Sequence, residues 1–195
     1  KFQRLPEPKQ WEDLAKTIYL DNVSIADPRR SSTSLLMTHI ILHSLGWEKG
    51  WQTLTAIAGN VNRFTHSSSD PIKAVISGDA AIATAVDFYA NAKIPALGTE
   101  NLGFTLPRGQ TITNSDPIAI LKGAPHRETA QRFVEFILSS EAQKLLVNKK
   151  GTTGGPRFNT LSRMAINPAA YQGNPQQLAS FNPFKTETKM MTIDF

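Results

Sequence analysis

Two short stretches of hydroxyl-bearing residues stand where this sequence could hold an anion. In Ala26-Asp27-Pro28-Arg29-Arg30-Ser31-Ser32-Thr33-Ser34 an extended segment passes through a turn into a helical one. A helix N-terminus offers unpaired N–H groups and partial positive charge, and both favour an anion. One serine suffices for a cap. Ser31, Ser32 and Thr33 together exceed that need and are read as ligand donors. Ser67-Ser68-Ser69-Asp70-Pro71 repeats the pattern, with Asp70 as the expected N-cap and Pro71 as the first helical residue. A third group, Asp87-Phe88-Tyr89, ends a small-residue apolar run over 80–86 that reads as a buried strand. An acid and a phenol beyond a strand's carboxyl end could bind a cation or a polar ligand. The plainer reading makes Phe88 and Tyr89 core aromatics and Asp87 a cap.

Catalytic patterns are absent. There is no G-x-S-x-G elbow, no H-E-x-x-H, no Walker loop and no G-x-G-x-x-G. Gly151-Thr152-Thr153-Gly154-Gly155 follows a helical segment, so it reads as a helix-terminating loop rather than a phosphate loop. His39 and His43 have the four-residue spacing of metal ligands, yet no carboxylate accompanies them, and they read as surface residues. His66 and His126 have no partner in sequence. Only Asp87 or Glu100 is placed to serve as a general base, so the chain is expected not to be an enzyme. The chain has no cysteine, which excludes a disulfide scaffold, a thiolate metal site and a cysteine nucleophile.

The net charge of +5 is scattered. Arg29-Arg30 and Lys149-Lys150 are its densest groups, too sparse for a nucleic-acid surface, so no nucleic-acid partner is expected. No apolar run approaches the roughly 20 residues of a membrane-spanning helix, so no membrane span is expected either. The chain opens at Lys1 without an initiator Met, so either a signal has been removed or the sequence starts within a longer protein.

These groups must be positioned by an α/β framework. Periodicity and punctuation predict a short helix after the extended, proline-rich entry within 5–14, and helices over 32–45, 49–58, 72–77, 127–138 and 140–147. They predict strands over 22–26, 60–65, 80–86, 102–106 and 118–121. Leu35, Leu36, Ile40, Ile41 and Leu42 supply the apolar face of the 32–45 helix, and Trp51, Leu54 and Ile57 that of the next. Beyond Lys150 the Gly-, Pro- and Asn-rich composition predicts loops with short helices at most. The alternation implies a mixed, largely parallel sheet flanked by helices.

The order of several stretches resembles the iron(III)-type family of extracellular or periplasmic solute-binding proteins that serve ABC transporters. The stretches are Pro8-Lys9-Gln10-Trp11-Glu12-Asp13-Leu14, Ala26 to Thr33, Gly78-Asp79-Ala80-Ala81-Ile82 with Asp87-Phe88-Tyr89, Asp116 to Pro125, and Phe133 to Gln143. The resemblance implies two α/β lobes with a ligand cleft between them, closed by hinge motion. It places residues 1–105 in the second lobe, has 106–150 return to the first, and leaves 151–195 as a loop-rich extension. It also implies that part of the first lobe precedes these residues, and that apolar surface meant for it is exposed.

The implied role is capture of a small anionic or metal–anion ligand, periplasmic or extracellular, for delivery to transporter membrane subunits. In ferric-binding relatives the first helix start holds a synergistic anion, the position of Ser31, Ser32 and Thr33. The loop of Ser67, Ser68 and Ser69 adds a second polar contact. Iron(III) in those relatives is held by two adjacent tyrosines. Here the place reads Phe88-Tyr89, leaving Tyr89 as the one phenolate, with Asp87 beside it. A hard cation loses much of its site with one phenolate missing, and a phosphorylated or carboxylated ligand fits the hydroxyl-rich starts at least as well. A ligand-sensing domain of a regulator, or an enzyme on a related fold, are the other readings.

Overall fold

The structure, a computed structural model, describes residues 5–113, 116–173, 182, 184, 189 and 190. It divides into two units near residue 112.

The first unit is built on a three-stranded parallel sheet ordered β2-β1-β3, with β1 (Val23–Ala26) central, β2 (Val61–Thr65) on one side and β3 (Ile82–Ala83) on the other. All four residues of β1 are buried, as a strand covered on both faces requires. Val23 pairs with both Val61 and Ile82, which fixes the register of the three strands. Between β1 and β2 the chain forms α1 (Ser32–Leu45) and α2 (Trp47–Gly59), joined at Gly46, whose φ of +80° suits glycine alone. Gly50 of α2 lies against Leu42 of α1, where any Cβ would stand 2.9 Å from the Leu42 backbone. After β2 come α3 (Asp70–Ser77), β3, α4 (Asp87–Asn91) and α5 (Ile94–Leu97).

The core joins Leu14, Tyr19, Val23, Ile25, Met37, Ile41 and Ile57. Asn60, itself buried, ties the 3-10 helix Trp11–Ala15 to the end of α2 by donating to the carbonyls of Leu14 and Lys16 at 2.7 and 2.8 Å. The apolar faces differ from the periodicity in detail. Met37 and Ile41 are the buried apolar residues of α1, while Leu35 is exposed, and Trp51 meets Trp47 edge to face on the surface instead of entering the core.

Several predicted strands are corrected. The 80–86 run forms a strand only over Ile82–Ala83: at its start the N–H of Ala80 still closes onto the carbonyl of Ala74 at the end of α3, and at its far end Val86 becomes the N-cap of α4. Residues 102–106 join no ladder; the N–H of Leu102 turns back to Gly98. Residues 118–121 likewise form no strand, and Ile118 and Leu121 face outward.

The second unit holds α6 (Arg127–Leu138) and α7 (Ser140–Val147), with the bounds read from sequence. Ser139 caps α7 by accepting from Ala142 N–H at 3.2 Å. Val147, Ala165, Ala170 and Tyr171 form its small core, and the Tyr171 hydroxyl donates to the carbonyl of Ala165 at 3.0 Å while accepting from its N–H. Beyond α7 a 3-10 helix, Pro168–Tyr171, is the one helical element among the described residues. Phe133, Phe136 and Leu138 of α6 are exposed. Most of the segment 185–195 lies outside the described residues.

Candidate functional site

Parallel pairing decides where the candidate residues go. Because β1, β2 and β3 run the same way, the segments that follow them leave from one edge of the sheet. Those segments carry Ser31 to Thr33, Ser67 to Ser69, and Asp87 with Tyr89. β1 is flanked on both sides, so its outgoing turn lies where the connections diverge, the place at which open parallel sheets bind ligands.

Ser31 caps α1, accepting from Ser34 N–H at 3.2 Å, and is almost fully buried. Its Oγ also stands 2.8 Å from Oγ of Ser68, so the two hydroxyl loops meet. Ser32 is exposed and Thr33 half-buried, and among the described residues neither hydroxyl has a hydrogen-bond partner. One serine caps; its neighbours are left with free donors. In the second loop Ser67 and Ser69 bond to each other, Oγ to Oγ at 3.0 Å.

Asp70 is not the N-cap that its spacing with Pro71 predicted. Ser69 holds that position, and Asp70 is the first residue of α3. Its carboxylate folds back to accept from Ser67 N–H at 3.1 Å and from Lys73 Nζ at 2.8 Å, and these contacts, led by Lys73, lower its pKa.

Asp87, Phe88 and Tyr89 are corrected as well. They open α4 rather than ending a strand, with Val86 as the N-cap. The Phe88 and Tyr89 rings lie 4.4 Å apart, tilted by 46°, and both are half-buried. His39 and His43 are exposed, as expected of surface residues. Among the described residues no three of His, Asp and Glu gather into a metal-binding group.

Charge near the serines is arranged by the β1–α1 turn. Asp27 accepts from Arg29 through Nε and Nη2, at 2.7 to 3.1 Å, and from the Arg29 backbone N–H at 2.9 Å. The Arg29 guanidinium thereby holds the Asp27 carboxyl down at a pKa of about 2. Arg30 turns elsewhere: its Nη1 donates to Nδ1 of His66 at 3.1 Å, a second bridge between the two loops. At the end of β2, next to His66, the Thr65 hydroxyl is buried without a hydrogen-bond partner, as is that of Ser24 on β1. Sequence reasoning missed Arg30, Thr65 and His66. Their signal was positional, since each stands within a few residues of the carboxyl end of a strand now known to be parallel.

The family model described as bacterial extracellular solute-binding protein matches residues 1–170. The chain belongs to that family. Among curated relatives, it is 31% identical over 170 residues to the phosphoglycerate transport regulatory protein PgtC of Salmonella typhimurium, covering 87% of this chain and 41% of that protein. The chain thus spans less than half the length of that relative. Solved structures share the fold. The periplasmic binding protein AfuA from Actinobacillus pleuropneumoniae, with fructose-6-phosphate bound, superposes with a TM-score of 0.59 at 20% identity, over 95% of this chain and 53% of that one. The apo ferric ion-binding protein A of Pasteurella haemolytica gives 0.60 at 21% identity, over 72% and 46%. The α/β architecture with a parallel sheet is therefore that of a periplasmic binding protein. Among the described residues no helix is long and apolar enough to cross a membrane.

Proposed function

We propose that this chain carries the ligand-capturing loops of a periplasmic solute-binding protein that delivers a small phosphorylated anion to an ABC importer. The observation that carries this reading is the 2.8 Å contact between Ser31 and Ser68. It gathers two hydroxyl-bearing loops and the N-terminus of a 14-residue helix into one donor surface. Ser31 has a single proton. When the Ser31 hydroxyl donates to Ser68 Oγ, the Ser68 hydroxyl is left free to donate to a ligand oxygen. The relatives named for phosphoglycerate and solved with fructose-6-phosphate support a phosphoryl group as the anion. Residues 1–105 are assigned to the second lobe, and the loops form one wall of its ligand site. The reading is of a binder, with Ser31, Ser32, Thr33, Ser67, Ser68 and Ser69 as contacts and no catalytic residue.

A ferric reading is supported by the likeness to the iron uptake protein A1 of Synechocystis, 26% identical over 196 residues, with Tyr89 and Asp87 as the available oxygens. The resemblance puts Phe88 where ferric relatives carry a second tyrosine, and the missing phenolate ranks the ferric reading below the phosphate reading. A thermal-shift screen of the full-length protein separates the two. Sugar phosphates and phosphoglycerate should raise the melting temperature with concentration, as any ligand of the native state does. A shift with ferric salts alone would overturn the phosphate reading.

A further inference from the structure

Arg30 and His66 join the same two loops as the serine pair, and their chemistry narrows what those loops can hold. An arginine side chain is always protonated, so at this 3.1 Å contact it donates and His66 Nδ1 accepts. In that tautomer Nε2–H is the ring's donor. The bridge uses one of five guanidinium N–H donors; the remaining ones, and the Nε2–H of His66, stay available to a ligand. The two nearby carboxylates are otherwise engaged, Asp27 by Arg29 and Asp70 by Lys73 and Ser67 N–H. At the end of β2 the buried Thr65 hydroxyl adds one more polar group without a partner. What is left around Ser68 is a set of donors, the positive end of α1, and one cation, Arg30, that no carboxylate among the described residues pairs with directly.

We propose that Arg30 and His66 are specificity-determining residues that select a phosphate monoester dianion over singly charged esters at the Ser31–Ser68 surface. The inference rests on the proposed phosphate reading and goes further by fixing the charge and oxygen count of the ligand group. Three terminal oxygens with two charges match a fork of guanidinium donors, an imidazole N–H and the serine hydroxyls. A sulfate ester presents the same three oxygens with one charge, and a phosphodiester presents one charge and two terminal oxygens.

The test is calorimetric titration of the full-length protein with phosphoglycerate and fructose 6-phosphate, each against its sulfate ester. Wild type should prefer the phosphate by about tenfold or more. Arg30→Ala should weaken phosphate binding at least tenfold and bring the phosphate-to-sulfate ratio close to one. Arg30→Lys, which keeps the charge and removes the fork, should keep part of the preference and guards against a misfolded alanine variant. His66→Ala should reduce the preference, and His66→Gln, whose amide oxygen can accept from Arg30, should restore part of it. Phosphate binding by wild type with Arg30→Ala and His66→Ala both within twofold of it would overturn this inference and leave the serine site standing. Failure of wild type to bind either phosphate ester would overturn both.

Discussion

Ser31 Oγ lies 2.8 Å from Ser68 Oγ while also receiving the Ser34 N–H, so one side chain serves both a helix cap and a contact between loops. The two roles separate by mutation. Ser68→Ala removes only the cross-loop contact and should weaken binding of a phosphate ester by about tenfold, or about 1.4 kcal/mol, with little change in melting temperature. Ser31→Ala should weaken binding similarly and also lose the cap, at a cost of about 1 kcal/mol. Calorimetry paired with thermal melts reads both effects. Equal melting losses in the two variants would contradict the division of roles.

Ser32 and Thr33 test the helix start itself. Since Ser31 already caps α1, their hydroxyls are not needed for the helix. The double variant Ser32→Ala/Thr33→Ala should melt within about 2 °C of wild type, as expected for substitutions outside caps and cores. Its affinity for an anionic ligand should fall by about tenfold or more. Unchanged affinity would remove the start of α1 from the site.

How far these arguments could be made from sequence depends on the range of the interaction. The bounds of α1, α6 and α7 were legible because capping and periodicity are local: Ser31 and Ser139 each cap the helix that follows, and Gly46 stops α1. Strands were less legible, since a strand exists only where a neighbour pairs with it. Residues 118–121 are apolar and β-prone yet have no ladder partner, and the 80–86 run is shortened at its start by a hydrogen bond from Ala80 back to Ala74 and at its far end by the N-cap of α4. The serines were legible as hydroxyl clusters, and their contact was not, because Ser31 and Ser68 are joined by the β1–β2 register. Arg30 and His66 were invisible for the same reason. Each was ordinary alone.

Asn60 offers a test of the framework independent of any ligand. Its side-chain amide satisfies the carbonyls of Leu14 and Lys16, and Asn60→Ala would leave two acceptors without that donor in a buried setting. The expected loss is about 2 kcal/mol, from the usual range for unsatisfied buried groups. Denaturant unfolding measures it. A loss below about 0.5 kcal/mol would mean that water replaces the amide and that the first 3-10 helix is not anchored there.

Asp27 predicts a pH dependence with a definite sign. Its folded pKa, about 2, lies below the ordinary carboxylate value because of the Arg29 guanidinium. The native state therefore binds fewer protons than the unfolded state between about pH 4 and pH 2. The stabilisation from this carboxylate is fully present above about pH 4 and is lost as pH falls through the folded pKa. Asp27→Asn should flatten that part of the acid stability profile. A profile unchanged in shape would show that the Arg29 contact contributes nothing in solution, as happens for many exposed pairs.

Tyr89 decides between the two ligand readings. If the cargo is a phosphate ester, Tyr89→Phe keeps the aromatic pair with Phe88, 4.4 Å apart in the native protein, and leaves the serine loops untouched. Phosphate-ester binding should then stay within about threefold of wild type, a change of less than 1 kcal/mol. If iron(III) is the cargo, the phenolate is an anionic oxygen that a hard cation needs. Ferric titration of wild type would then produce a visible phenolate absorption band, and Tyr89→Phe would abolish it together with ferric binding. Observing that band and its loss would move the site from the serine loops to the start of α4 and set the anion in the role of a co-ligand.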